Sequence, residues 1–374
     1  MTSKERLLAA IRCQDVDYVP MSMHFWHGPR HARADWRSER GRLARYREWE
    51  WDTTVGLASR VSPSQDVRVE VEYEDDGRII HQTWRTPAGA LEERLKVTED
   101  WEAAKNVDSY LQIYDDFRSP RYVEVMIKSA DDLPKLEYLF PQENAADTEG
   151  MILQHRAARA LAEEFEAPLS LHHPAGMDWL TWLYSASGAV MEALDNRPVV
   201  ERVLAIINDA YARRLDLALE LGIDMVERRG WYESADFWNP SLFEALAMPI
   251  LEREIEAAHG AGAVHVYVMD TGVVPLLPLL AALPFDSLHG LEPAYTDLDQ
   301  KALRQQLPGK SMWGGISGPG DLGRGTPASI QHAVEKAFSD YGRVGFILGM
   351  AVGIRHDWPT ENLQACEQAW KQLR

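Results

Sequence analysis

The chain has 374 residues, 45% hydrophobic and 26% charged, enough apolar material for a large core and a length that suits a (β/α)8 barrel with an insertion. Its formal charge of −19 disfavours nucleic acid and anionic membrane as partners, because a negative field repels phosphate. There is no apolar run of about 18 residues to span a membrane, the only cysteines (Cys13 and Cys366) make no disulfide framework, and the first residues read as an amphipathic helix and not a secretory leader, so a cytoplasmic location is expected.

In chain order, residues 3–12 carry apolar side chains at helical spacing, and 18–25 (YVPMSMHF) reads as the first core strand. Residues 37–50 are highly charged with periodic Leu and Trp, the pattern of a helix over a barrel mouth. Then 67–73, 78–84 and 91–97 alternate apolar and charged residues, with EDDG and TPAG between them, which predicts an antiparallel meander wet on one face. No flexible linker flanks it, so it is expected as an insertion at about 65–98 within one domain spanning 1–374. A helix at 151–164 then precedes a strand at 168–174 (PLSLHHP), and helical pieces through 221 precede another at 224–230 (DMVERRG). A helix at 241–259 leads into four closing strands at 263–270, 286–293, 311–317 and 344–353, and a helix at 360–373 ends the chain. That makes seven core strands, with the eighth expected between 52 and 127. The rhythm predicts an α/β fold, a (β/α)8 TIM barrel with a small antiparallel β insertion in the N-terminal third, whose chemistry sits where strands end and loops begin.

The strand ends name the candidate site residues. His24, Trp26, His27, Arg30 and His31, in MHFWHGPRH, could bind an anionic substrate or a metal, or form a solvated loop with Trp26 as packing. His172 and His173 point to opposite faces, so only one of them looks into the barrel. The densest cluster is ERRGWYESADFW: Glu227 and Arg229 share a face, as a plain ion pair or as a general acid/base tuned by a neighbouring charge, and Trp231 and Tyr232 offer an apolar wall for a ring. Asp270, His289 and Glu292 end consecutive strands and suit an oxygen- and nitrogen-ligand metal site or an acid/base pair with its orienting partner; alternatively Glu292 accepts backbone N–H groups of the next loop. The run GGISGPGDLGRGTP follows a strand, as phosphate-holding loops do, although tight turning explains its glycines equally well.

The segments MTSKERLLAAIRCQDVDYVPM, GRIIHQTWRTPAGALEE, VEVMIKSADDLPKLEYL, GWYESADFWNPSLFEALAMPIL and DSLHGLEPAYTDLDQKALRQQL, followed by GGIS, RGTPASIQHAV and PTENLQA, resemble uroporphyrinogen decarboxylase-like proteins over nearly the whole chain. The resemblance implies a TIM barrel that serves either decarboxylation or methyl transfer involving a corrinoid protein. The arginine-rich motif with which true uroporphyrinogen decarboxylases meet substrate carboxylates is replaced here by MHFWHGPRHAR, so porphyrin decarboxylation is not expected. The thiol-methylating branch binds zinc through His-x-Cys and a last-strand Cys; here those positions read Tyr267-Val268-Met269 and Met350, and shifting to His265-Val266-Tyr267 restores no thiol. That zinc site is therefore expected to be absent. What remains resembles the O-demethylase branch, which implies methyl transfer from a small methoxylated, often aromatic, substrate to a corrinoid carried by a partner protein. In that reading Glu227, Asp270, His289 and Glu292 are the catalytic candidates, and His24, Trp26, His27, Arg30, His172, Arg229, Trp231 and Tyr232 contact substrate, with Asp270, His289 and Glu292 as metal candidates. The alternatives are a decarboxylase or lyase for a smaller acid and a non-catalytic barrel that binds a corrinoid protein. A homodimer is implied by the resemblance alone.

Overall fold

The computed structural model describes residues 1–25, 38–105, 107, 109–294, 299–351, 353–355 and 357–374. The chain opens on the helix Ser3–Ile11, started by a capping box in which the Thr2 hydroxyl accepts Glu5 N–H and the Glu5 carboxylate accepts the Thr2 N–H. Its apolar face buries Leu7, Ala10 and Ile11 in one cluster with Met225, Val264, Val266 and Ile347, toward the N-terminal ends of the core strands. The C-terminal ends are left to form the site.

Seven parallel strands make the main sheet, in the order β1 (Val55–Ala58), β6 (Leu169–His173), β7 (Met225–Arg229), β8 (Val264–Val268), β9 (Ser287–His289), β10 (Ser311–Gly315) and β11 (Phe346–Gly349). β1 lies inside the span where the eighth strand is expected, and β6 to β11 fall within the predicted core segments. The first predicted strand takes part differently. Met21 and Phe25 make isolated parallel bridges to Leu348 and Ile354, and Met21 C=O accepts Asp52 N–H at 2.9 Å just before β1. Residues 18–25 thus lie between the last and first strands of the barrel, while the hydrogen-bonded ladder itself stops at seven strands and is not closed. The later core strands are covered on both faces, as parallel strands flanked by helices are: every residue of β8, β9, β10 and β11 is buried.

The meander forms a separate antiparallel sheet, β2 (Arg68–Glu74), β3 (Ile79–Thr86) and β4 (Gly89–Lys96), to which β5 (Tyr122–Glu124) adds a fourth strand not expected from the sequence. In β4 the alternation buries Leu91, Glu93 and Leu95 and turns Glu92 and Arg94 outward. Glu93 is fully buried against Arg118, and Tyr122 O–H donates to the Trp182 carbonyl, which ties this sheet to the barrel. The predicted helix at 241–259 is two helices, Pro240–Leu246 and Met248–Gly260. Pro249 in the first turn of the second has no N–H to bond back, so the first helix ends there. Among the described residues no helix is long and apolar enough to cross a membrane.

Candidate active site

A cavity of about 470 Å³ opens at the C-terminal ends of the strands. The helix Glu39–Glu48 lies over it and contributes Glu39, Arg42, Leu43 and Tyr46, as expected for 37–50. Among the sequence candidates it gathers His24, His172, Glu227, Arg229, Trp231 and His289. Trp26, His27, Arg30 and His31 lie outside the described residues.

Strand register sets the floor. His172 and Glu227 are partners on neighbouring strands, so their side chains emerge side by side into the cavity. The Glu227 carboxyl is hydrogen-bonded to Ser170, and burial raises its pKa, favouring the protonated form. His172, whose side chain is open to solvent, is driven the other way, down to about 4, by desolvation among its protein neighbours first and then by the Arg229 charge. Its Nε2 lies 2.9 Å from the Tyr114 hydroxyl. His173, one residue on, turns behind the sheet, where its Nε2 is 3.4 Å from Glu254.

Arg229 is held by protein groups at both terminal nitrogens and faces a third. Nη1 donates to the Tyr114 hydroxyl at 2.9 Å, Nη2 donates to Asp116 at 2.6 Å, and Nε is 3.2 Å from Asp178. The rings of Trp231, Trp182, Tyr114 and Tyr232 surround the guanidinium at 4.3, 5.1, 5.3 and 5.7 Å. Tyr232 itself does not line the cavity; its hydroxyl donates to Asp116 at 2.8 Å and its N–H to Asp178 at 2.8 Å. Asp178 also accepts Trp231 N–H at 3.2 Å, and burial pushes its carboxyl up to about 7 against the pull of Arg229. A shell behind β7 holds this end of the strand. Arg228 donates to Glu254 at 2.8 Å and to Glu233 at 2.7 Å, and the Tyr267 hydroxyl donates to Glu233 at 2.7 Å.

His289 stacks on Trp313, with ring centroids 4.3 Å apart and planes 17° from parallel, and burial lowers its pKa to about 3. Asp270 and Glu292 are not on the cavity wall. Asp270 is pushed up to about 6 by burial and by Glu292 and Asp236. Glu292 accepts Ala294 N–H at 2.9 Å and Gly318 N–H at 3.2 Å, so it organises the glycine-rich turn, whose Ser317 hydroxyl in turn accepts Gly320 N–H at 2.8 Å. Among the described residues no three His, Cys, Asp or Glu side chains are grouped to hold a metal, so Asp270, His289 and Glu292 are not gathered as a ligand set. At the positions the resemblance implied for zinc, Tyr267 bonds Glu233 behind the sheet, Met269 is buried and does not line the cavity, and Val268 and Met350 do line it.

Sequence reading missed Ser170, Tyr114, Asp116, Asp178, Tyr46 and Trp313. Ser170 and Trp313 were within reach of the period-two rule, since each shares a strand face with, or pairs beside, a candidate already named. Tyr114 and Asp116 offer no such signal.

Residues 113–373 match the family model described as uroporphyrinogen decarboxylase (URO-D), well over half of the chain. The chain belongs to the uroporphyrinogen decarboxylase family. Among solved structures, this family member is similar to a methyltransferase from Methanosarcina mazei, at 17% identity and a TM-score of 0.61, over 100% of this chain and 99% of the other. It is also similar to a B12-independent methionine synthase from Shewanella sp. W3-18-1 in complex with selenomethionine, at 10% identity and a TM-score of 0.51, over 95% and 96% of the two chains. At these identities the likeness is one of fold. No curated protein sequence matches the chain.

Proposed function

We propose that this chain is a methyltransferase that takes a methyl group from a small methoxylated, aromatic substrate and passes it to a corrinoid held by a partner protein. The observation that carries the proposal is the floor of the cavity: a half-buried carboxylic acid, Glu227, stands beside the imidazole of His172 under aromatic walls made by Trp231, Tyr46 and the stacked His289–Trp313 pair. An aryl ether oxygen is a poor leaving group unless it gains a proton as the methyl departs, and a carboxyl raised by burial is suited to supply it. A cavity of about 470 Å³ suits a single-ring substrate. It does not enclose a whole corrinoid, which fits a cofactor presented at the mouth by another protein. The corrinoid, when bound, supplies the nucleophilic centre that accepts the methyl group. The residues of this chain bind the ring, orient the ether oxygen and hold the proton on the Glu227 carboxyl. A decarboxylase would need cations open to substrate carboxylates, and Arg229, a cavity-lining cation at the end of β7, faces Asp116, Asp178 and Tyr114.

The test mixes the protein with reduced corrinoid and a panel of methoxyarenes and follows corrinoid methylation by absorbance. Carbon dioxide release from a carboxylated panel, without methylation, would replace this reading with a decarboxylase. Inertness in both, with tight binding to a corrinoid protein, would leave an accessory barrel. Glu227→Gln should lower turnover by about 10²–10⁴, and His289→Ala should abolish it, both with the fold intact; near-wild-type rates in both sink the site assignment. Because Glu227 acts protonated, turnover should fall as pH rises through its raised pKa, and Glu227→Gln should lack that limb.

A further inference from the structure

Tyr114 touches the cavity from outside the barrel strands, and its hydroxyl lies 2.9 Å from both Arg229 Nη1 and His172 Nε2. A guanidinium only donates, so at the first of these contacts the phenol oxygen is the acceptor. The phenol keeps one proton to place. At the second contact stands an imidazole that is held neutral and has one lone pair to offer. The Arg229 charge polarises the phenol and makes it the better donor of the pair. Neutral imidazole carries its proton on the nitrogen that does not accept, so the direction of this one bond sets the chemistry of the opposite edge of the ring. Among the described residues Nδ1 of His172 has no protein partner, on a ring that lines the cavity.

We propose that Tyr114 is a positioning residue: its hydroxyl, fed by Arg229, donates to His172 Nε2 and fixes the Nδ1–H tautomer, so that His172 offers bound ligand an N–H donor beside the Glu227 acid. The ligand group that meets His172 is then an acceptor oxygen, as in an ether, a carbonyl or a phenolate. The value of this donor for methyl transfer rests on the function proposed above, whereas the tautomer itself does not.

The test is long-range proton–nitrogen NMR on the intact protein labelled with ¹⁵N-histidine, the His172 signals being identified by their loss in His172→Asn. The expected spectrum shows Nδ1 of His172 in the protonated, pyrrole-like range and Nε2 in the pyridine-like range. In Tyr114→Phe, which keeps the ring packed 4.7 Å from Trp182, the two shifts should move toward each other or exchange. A protonated Nε2 in the wild type, or a tautomer unchanged in Tyr114→Phe, overturns the proposal. Should Tyr114→Phe fail to fold, the wild-type spectrum decides alone. Absent methyl transfer with the expected tautomer would refute the functional reading and leave this inference standing.

Discussion

Replacing Glu93 with Gln asks how firmly the small sheet holds the site. Both Glu93 and Arg118 are 0% exposed. One Glu93 oxygen accepts Gln82 Nε2 at 2.9 Å and Trp84 Nε1 at 3.2 Å; the other accepts Arg118 Nη2 and lies 3.2 Å from the Tyr122 hydroxyl. Glutamine keeps the shape but puts an N–H₂ group against a donor and leaves Arg118 buried without its counter-charge. Removing one partner of a buried pair costs about 3–5 kcal/mol, a large part of a typical domain stability of about 5–15 kcal/mol. The measurement is the urea midpoint at unchanged slope. The double variant Glu93→Gln/Arg118→Met removes the orphaned charge and keeps most of the side-chain volume, so it should recover most of the loss. Arg118 also donates to the Gln112 carbonyl at 3.2 Å, within the segment that carries Tyr114 and Asp116, so the single variant should weaken ligand binding as well. A single-variant cost under about 1 kcal/mol, or a double variant as unstable as the two single losses added, would refute the reasoning.

Asp178 should give a pH dependence of stability. Its folded pKa, pushed up to about 7, lies above the ordinary carboxylate range near about 4, so the folded state holds the proton more tightly than the unfolded one. Its contribution is full below that range and is lost as pH rises to about 7; subtracting the Tm-versus-pH curve of Asp178→Asn should isolate this fall, and parallel curves would refute it. Gly176→Ala should destabilise by at least about 1–3 kcal/mol, because φ is +90° there and a Cβ would stand 1.8 Å from Arg228 Nη2 and 2.2 Å from Glu233 Oε1. Gly150→Ala, with nothing within 4 Å, is the control and should leave the denaturation midpoint unchanged or raise it.

The barrel was legible because each core strand is a short apolar run between amphipathic helices. The elements that escaped are those without a period. Tyr122–Glu124 is three residues long, and 18–25 joins its neighbour through isolated bridges and not a ladder. At the site, alternation says that His172 and His173 face apart but not which one faces in; that depends on Glu254 and Arg228, which wait behind the sheet for His173. Asp270 and Glu292 carry the right chemistry at the right strand ends, yet the chain turns after β8 and β9 so that neither meets the cavity. Tyr114 and Asp116 were beyond reach because their bonds to Arg229 span 115 and 113 residues of sequence.

Those long-range bonds bear on the acid as well as on the histidine. Glu227 and Arg229 are two residues apart on one strand and both line the cavity, an arrangement that on sequence alone suggests an ion pair. An ion pair would lower the pKa of Glu227 and ionise it. Instead burial raises its pKa against the pull of the Ser170 hydrogen bond. The guanidinium faces Asp116, Asp178 and the Tyr114 hydroxyl. The segment between β4 and β5 of the small sheet therefore does more than wall the cavity. By supplying Tyr114 and Asp116 it draws Arg229 away from the floor, and that separation is what lets a carboxyl beside an arginine remain an acid.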